Sequence, residues 1–255
     1  MLPTYKRLDG QKRVAQVSFK KFISIVLSLP LGGFTFCVLW SLIFEFERST
    51  RTHCDVSNLL PSLSAAIGTY EPQKTIWRLA ICLHMPARLI IAHLYYKYYR
   101  DVLYPSRHTL AKVAYALNVI ENLALVSLSL WTSTNDYEIH RNAFVTFIAC
   151  SELYMLITYI LNRNGRRDAL LPHENKSNKW KGYLFIINLT TFLLAGYCFI
   201  RHNSYCEPGV YTFFAIFEYI VVWTNMGFHM TAVMDFYALK VIFDWKHGIY
   251  LSNKS

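Results

Sequence analysis

The chain has 255 residues, 54% of them hydrophobic and 16% aromatic, with only 16% charged and a formal net charge of +10. Soluble domains carry roughly 25% charged residues, so this chain is short of side chains to face water, and its apolar content excludes a disordered polypeptide. A basic excess raises the question of nucleic acid, but membrane proteins collect Lys and Arg on one side of the bilayer, so the charges have to be placed before they are interpreted.

A helix needs about 20 mostly apolar residues to cross a bilayer core. The first such run, Phe22 to Phe44, follows Lys6, Arg7, Lys12, Arg13, Lys20 and Lys21. Its 23 residues exceed a cleaved signal core and no A-x-A site ends it, which predicts an uncleaved first span. Further runs lie at about Ile76–Tyr96, Leu110–Trp131, Asn142–Leu161, Gly182–Ile200 and Val210–Met234. The second is the weakest, interrupted by Arg78, His84, Arg88 and His93, and a five-span chain without it is the competing layout. With six spans, 19 Lys and Arg fall on the side of the N-terminus and only 5 in the opposite loops. That asymmetry is the positive-inside pattern, and removing the second span would put the basic 162–181 loop on the wrong side.

The expected fold class is therefore all-α: a polytopic membrane helical bundle of six transmembrane helices with both termini cytosolic. Residues 1–21 form a basic cytosolic N-terminus, 22–236 the membrane domain with lumenal loops 45–75, 132–141 and 201–209, and 237–255 a cytosolic tail. Tyr95, Tyr96, Tyr98, Tyr99 and Tyr104 among Lys97 and Arg100 are read as an interfacial aromatic belt with snorkelling cations rather than a base-stacking surface. No nucleic-acid partner is expected. Membrane lipids are, and the oligomeric state is left open. Cys37, Cys82, Cys150 and Cys198 fall inside spans, whereas Cys54 and Cys206 both land in lumenal loops, where a disulfide between them is permitted if they come within reach.

Ionisable groups at membrane depth are costly and mark candidate functional positions. His84 and Arg88 share a face of the second span roughly 12 to 18 Å below its lumenal start. Asn118, Glu121 and Asn122 share a face of the third at about 15 Å, and Glu152 reaches about 15 Å on the fourth. On the sixth, Glu218 lies at about 12 Å, with Asn225 and His229 deeper. Such a set could line a lumen-facing cavity with Arg88 paired to Glu121 or Glu218, or it could simply tie helices together by hydrogen bonds. The lumenal loops add His53, His140 and His202 with acidic neighbours Asp55, Glu138 and Glu207, a composition suited to general acid–base work but equally common on inert surfaces. Ser62 and Ser64 are candidate nucleophiles without a G-x-S-x-G elbow. No metal-spaced Cys/His set, phosphate loop or H-x-x-x-x-D box in a cytosolic loop is present, so no metal and no bound cofactor are expected.

Rare polar residues recur in an order that resembles one family. They are Thr52-His53-Cys54-Asp55, the run Asn58–Gly68, Trp77, Arg78, Leu83, His84 and Arg88, and the run Leu117–Leu125. Ile139, His140, Asn142, Ala143 and Phe144, then Phe185–Asn188, Arg201–Tyr219, Thr224–Ala232, Asp235 and Phe236 complete the series. Together they resemble the FRAG/DRAM/SFK membrane-protein family over roughly residues 20 to 236. The resemblance implies a multi-pass protein of the Golgi membrane, or of the endoplasmic reticulum membrane, engaged in fatty-acid remodelling of GPI anchors. It would return a saturated chain to the sn-2 position of a lyso-GPI carried by GPI-anchored proteins.

If the chain is itself the O-acyltransferase, His202 and His84 are the first candidates for the base, Glu121 and Glu218 for orienting or alternative carboxylates, and His140 the third base. Arg88, Asn118, Asn122, Asn225 and His229 would bind substrate or the developing oxyanion. The acyl donor would be acyl-CoA, which is cytosolic and would need a tunnel, or a phospholipid. The alternative is a non-catalytic lipid-binding or scaffold protein that presents lyso-GPI to a separate acyltransferase. A transporter is disfavoured for lack of paired Gly/Pro-broken helices.

Overall fold

The computed structural model describes residues 15–68, 70–244 and 247–253. Six long helices make up its body: α1 (Phe19–Phe44), α4 (Gln73–Val102), α5 (His108–Leu130), α6 (Tyr137–Asn164), α7 (Pro172–Tyr205) and α8 (Val210–Met230). Three short ones lie between or after them: α2 (Phe46–Thr50), α3 (Leu63–Gly68) and α9 (Ala232–Asp235). Each long helix packs on the next in sequence, and Phe34 of α1 meets Tyr219 and Trp223 of α8 at 5.2 and 6.5 Å, closing the ring.

Five of the long helices, all but α8, are both long and apolar enough to cross a membrane, and the chain is a helical membrane protein. Their outer faces carry large apolar side chains such as Ile43, Leu83, Leu193 and Ile200, each more than 60% exposed, which only a lipid environment would solvate. The weakest expected span is present as the 30-residue α4. Its charges are accommodated one by one. Arg78 donates to the Ser129 and Leu130 carbonyls (3.2 and 2.6 Å) and so caps the C-terminal end of α5, while His84 and Arg88 turn into the bundle. Close contact with α1 is set by Gly33, where a Cβ would stand 3.1 Å from that of Ala80.

The all-α expectation needs correcting. Ala15–Ser18 (β1), Leu239–Asp244 (β2) and Gly248–Asn253 (β3) form an antiparallel sheet in the order β1-β2-β3, with Ala15 opposite Phe243 and Leu239 opposite Asn253. These segments lie outside the apolar runs and are too short for periodicity to stand out. Val241 and Leu251 are buried against the helices, so the tail packs onto the bundle instead of trailing from it. The aromatic belt also needs correcting. Tyr95 and Tyr99 are one turn apart on the inner face of α4 and pack with Phe19 and Phe236 in the core of this sheet end. Of the five only Tyr104 is exposed, at 49%.

At the opposite end, which we term the loop end, Cys54 and Cys206 form a disulfide with their Cα atoms 5.2 Å apart. It joins the segment after α2 to the C-terminus of α7, where Gly209 N–H also donates to Ser57 O (3.3 Å). Removing a native disulfide typically costs about 2–5 kcal/mol. Cys54→Ser is therefore expected to lower the thermal midpoint of the purified protein, with wild type showing two fewer alkylatable thiols before reduction than after. Equal thiol counts in both conditions would refute the bridge.

Candidate functional site

The expected polar residues do not form one layer. Most of them converge on an inner node built from α4, α5, α6 and α8. Arg88 donates through Nε to Asn122 Oδ1 (3.3 Å) and through Nη2 to His229 Nε2 (2.7 Å). Glu121 Oε1 lies 3.3 Å from that same His229 Nε2 and accepts from Asn225 Nδ2 (3.1 Å), while its Oε2 accepts from Asn118 (3.1 Å). Asn122 in turn donates to the Asn118 carbonyl (2.6 Å), and Asn225 to Ser151 (2.6 Å). Arg88, Asn118, Glu121, Asn122 and His229 are all buried. The node is thus packed by its own side chains rather than held open as a cavity.

The expected ion pair takes a different form. Arg88 has no salt bridge to Glu121 or Glu218 among the described residues, and His229 stands between Arg88 and Glu121. One nitrogen cannot accept from Arg88 and donate to Glu121 at once. The shorter contact selects a lone pair on His229 Nε2, which makes the imidazole a neutral spacer between a cation and an anion. Tyr154 stacks on it, with ring centroids 5.6 Å apart. His84 sits nearby but is held by the Val26 carbonyl (Nδ1 to O 2.7 Å).

On α6 the expectation fell on Glu152, but Ser151 is the residue that joins the node, and neither Glu152 oxygen has a hydrogen-bond partner. Adjacent helical positions point about 100° apart, and here Ser151 is the one aimed at Asn225 while the Glu152 oxygens are buried away from the node's donors. The sequence offers a serine no comparable signal.

The remaining candidates lie at the loop end. Glu218 accepts from the Leu63 N–H (3.0 Å) and so holds the start of α3. His202 and His140, expected in loops, are instead in the last turn of α7 and the first turns of α6, because both helices outrun their apolar windows. The α6 N-terminus is capped by Asp136, which accepts from Ile139 N–H (3.0 Å). His202 Nε2 is 3.0 Å from Thr52 Oγ1, and its ring lies 5.7 Å from that of His53 and 4.9 Å from that of Tyr211. His140 Nδ1 is 2.8 Å from the Trp131 carbonyl oxygen, and its Nε2 is 3.0 Å from Ser64 Oγ. Arg201 binds Glu207 through two nitrogens, and its hydrogen bonds hold the Glu207 carboxyl below the usual range. His53 stands 3.3 Å from Cys54 Sγ, but both cysteine sulfurs are consumed in the disulfide and cannot serve as thiolate ligands.

Sequence reasoning missed two sets at the sheet end. Lys181, assigned to a loop, is buried on α7 with Nζ 2.6 Å from Asp235 Oδ2, and Tyr95 donates to the same oxygen (2.6 Å). Glu174 accepts from Arg166, from Tyr98 (2.7 Å) and from the Leu171 N–H (2.9 Å) at the start of α7. An Asp closing an apolar run was the available signal for the first. Between the two sets lies a cavity of about 250 Å³ lined by Tyr98, Asp101, His173 and Tyr250 among others.

The family model described as Frag1/DRAM/Sfk1/Cwh43P N-terminal domain matches residues 18–239. The chain is 62% identical over 253 residues to "Post-GPI attachment to proteins factor 2" of Drosophila melanogaster, covering 99% of each chain. It is 42% identical to "Acyltransferase PGAP2" of Xenopus tropicalis, over 89% of this chain and 91% of that one. The Caenorhabditis elegans relative, again "Post-GPI attachment to proteins factor 2", is 37% identical over 94% and 93%. No solved structure gives a significant match.

Proposed function

Because the chain belongs to the Frag1/DRAM/Sfk1/Cwh43P family, we propose that it acts in lipid remodelling of GPI anchors, returning a saturated acyl chain to lyso-GPI in the lumenal leaflet of the Golgi membrane. The observation that carries this reading is the identity of 62%, sustained over 99% of the chain, with a relative named for a step after GPI attachment. The acyltransferase reading draws on the name of the frog relative.

The proposed topology is six spans with cytosolic termini. Pairing of β1 with β2 returns the chain to the end it started from, which calls for an even number of crossings. α8 supplies the sixth, since 21 residues at about 1.5 Å each make about 31 Å, enough for a bilayer core. Among the described residues, most Lys and Arg gather toward the sheet end, as a cytosolic face would require. The disulfide at the loop end suits an oxidising lumen.

The reaction needs a base for the attacking hydroxyl and donors for the oxyanion. Of the five candidates, Glu121 is committed to the inner node, Glu218 to a backbone amide and His84 to a backbone carbonyl. His140 and His202 remain, both at the loop end that the proposed topology turns to the lumen, and His140 is the better base because its two nitrogens have distinct roles. The inner node holds α6, which carries His140, in register with α4, α5 and α8. A phospholipid of the lumenal leaflet is the donor that reaches this level without a tunnel. GPI-anchored proteins are the carriers of the acceptor.

The full chain, purified in nanodiscs with lyso-GPI and an acyl-labelled phospholipid or acyl-CoA, is expected to move label to the anchor. His140→Ala should reduce the rate roughly 10²–10⁴-fold, the usual yield of general base catalysis. Saturable lyso-GPI binding without turnover from either donor would reassign the chain to a lipid-presenting role.

A further inference from the structure

The contact between Ser64 and His140 has a defined polarity. The Trp131 carbonyl, 2.8 Å from His140 Nδ1, can only accept a hydrogen bond, so the ring carries its proton on Nδ1 and keeps a lone pair on Nε2. Ser64 Oγ, 3.0 Å from Nε2, is therefore the donor. A hydroxyl aimed at a base, with the base oriented by a third group, is the arrangement that activates a nucleophile for acyl transfer. Here a main-chain carbonyl stands where a carboxylate often does.

Both partners are fixed from several sides. Tyr219 donates to the Pro61 carbonyl (2.6 Å), Glu218 accepts from Leu63 N–H (3.0 Å) and Thr212 accepts from Leu59 N–H (2.9 Å), so α8 holds the segment that leads into Ser64. At the other end of α3, Gly68 lies against Thr132, and a Cβ there would stand 3.1 Å from the threonine side chain. That contact keeps α3 beside the α5–α6 loop, from which His140 follows within one turn of helix. Exposed Trp131 and Tyr137 flank the pair, and aromatic side chains of this kind sit at the headgroup level of a bilayer, where acyl ester bonds also lie. Ser64 is half-buried rather than sealed.

We propose that Ser64 is an acyl-accepting nucleophile with His140 as its general base, so that transfer runs in two steps through an acyl-Ser64 ester. This rests on the transferase reading above and adds the path the acyl group takes. In the first step Ser64 Oγ bonds to the carbonyl carbon of the donor while its proton passes to His140 Nε2. The donor's acyl bond to oxygen or sulfur breaks, and His140 returns the proton to the departing lyso-lipid alcohol or thiol. In the second step the sn-2 hydroxyl of lyso-GPI attacks the acyl-Ser64 carbonyl and gives its proton to His140. The bond to Oγ breaks, and Ser64 recovers the proton. Nothing is oxidised or reduced. A phospholipid ester and an acyl thioester share the reactive carbonyl, and separate donor arms tell them apart.

The test uses the full chain in nanodiscs, incubated first with each labelled donor and no acceptor. Intact and peptide mass spectrometry should show one acyl adduct on the peptide containing Ser64, and adding lyso-GPI should discharge it. Ser64→Ala is expected to lose the adduct and to transfer roughly 10²–10⁴-fold more slowly, with an unchanged thermal midpoint. Ser64→Cys should still form an adduct, now cleaved by neutral hydroxylamine. If wild type and Ser64→Ala transfer acyl groups to lyso-GPI equally, Ser64 is not the nucleophile although the transferase reading stands. If the adduct forms at Ser64 but is not passed to lyso-GPI, the nucleophile stands and the acceptor is wrong. Transfer by wild type without any adduct after rapid quenching would overturn the two-step path, and neither adduct nor transfer would overturn both ideas.

Discussion

Asp235→Asn is expected to destabilise the protein by about 3–5 kcal/mol, the usual cost of leaving a buried charge without its partner. Lys181 and Asp235 have side-chain exposures of 1% and 5%, with Nζ and Oδ2 2.6 Å apart, so neither can turn to water when the other is lost. Lys181 would keep only Ser177 Oγ, at 2.7 Å, as an acceptor of comparable quality. The same carboxylate receives Tyr95, so the substitution also loosens the contact between α4 and α9. Thermal unfolding in one detergent, followed by tryptophan fluorescence, reads the effect. Because apolar replacement of a whole buried pair is often close to neutral, Lys181→Met combined with Asp235→Leu should recover most of the loss. An Asp235→Asn midpoint equal to wild type would mean that water or lipid headgroups reach Lys181.

The inner node should behave as one electrostatic unit. Arg88→Met would strand the Glu121 carboxylate and Glu121→Gln would strand the Arg88 guanidinium, each at a cost of about 3–5 kcal/mol. The double substitution should cost less than the sum of the two, with a coupling energy of roughly 1–3 kcal/mol. That coupling is notable because the two groups do not touch and His229 fills the space between them. His229→Leu should therefore be almost as damaging as either charge removal. Arg88→Lys should not restore the wild type, since one ammonium cannot serve Asn122 and His229 from the positions the planar fork provides. Strict additivity in the unfolding midpoints would show that solvent, and not His229, compensates each charge.

The helices were legible because lipid demands long apolar runs, and the asymmetry of Lys and Arg was the argument for keeping the doubtful second run among them. Even the doubtful span could be kept on charge alone, and α4 then explained its own polar residues: Arg78 at a helix end, His84 and Arg88 inside. The inner node was legible as a set of faces at comparable depth, since Asn118, Glu121 and Asn122 fall on one stripe. Its bonding was not, because a tilt or rotation of one helix decides whether Ser151 or Glu152 meets Asn225. Ser64 and His140 lie 76 residues apart in two segments that hydropathy describes only as loop and loop edge. Their meeting depends on how α8 grips the Pro61–Leu63 segment, a tertiary fact with no local signature. Lys181 was misread for the opposite reason: a lysine at the edge of a basic loop looks like one more orientation mark until its partner is known.

The small sheet also bears on the order in which the molecule can be made. β1 precedes the first long helix and β2 follows the last, so this pairing must wait until nearly the whole chain has left the ribosome and entered the bilayer. Until then the early helices stay in the membrane with their inner polar faces only partly matched, because Asn225 and His229 arrive late. Newly inserted chains are thus most exposed to wrong helix partners and to quality-control proteases just before synthesis ends. A stop codon shortly before Leu239 would leave every long helix intact yet remove the clasp. Such a chain would insert normally and be lost afterwards, a defect of assembly and not of insertion.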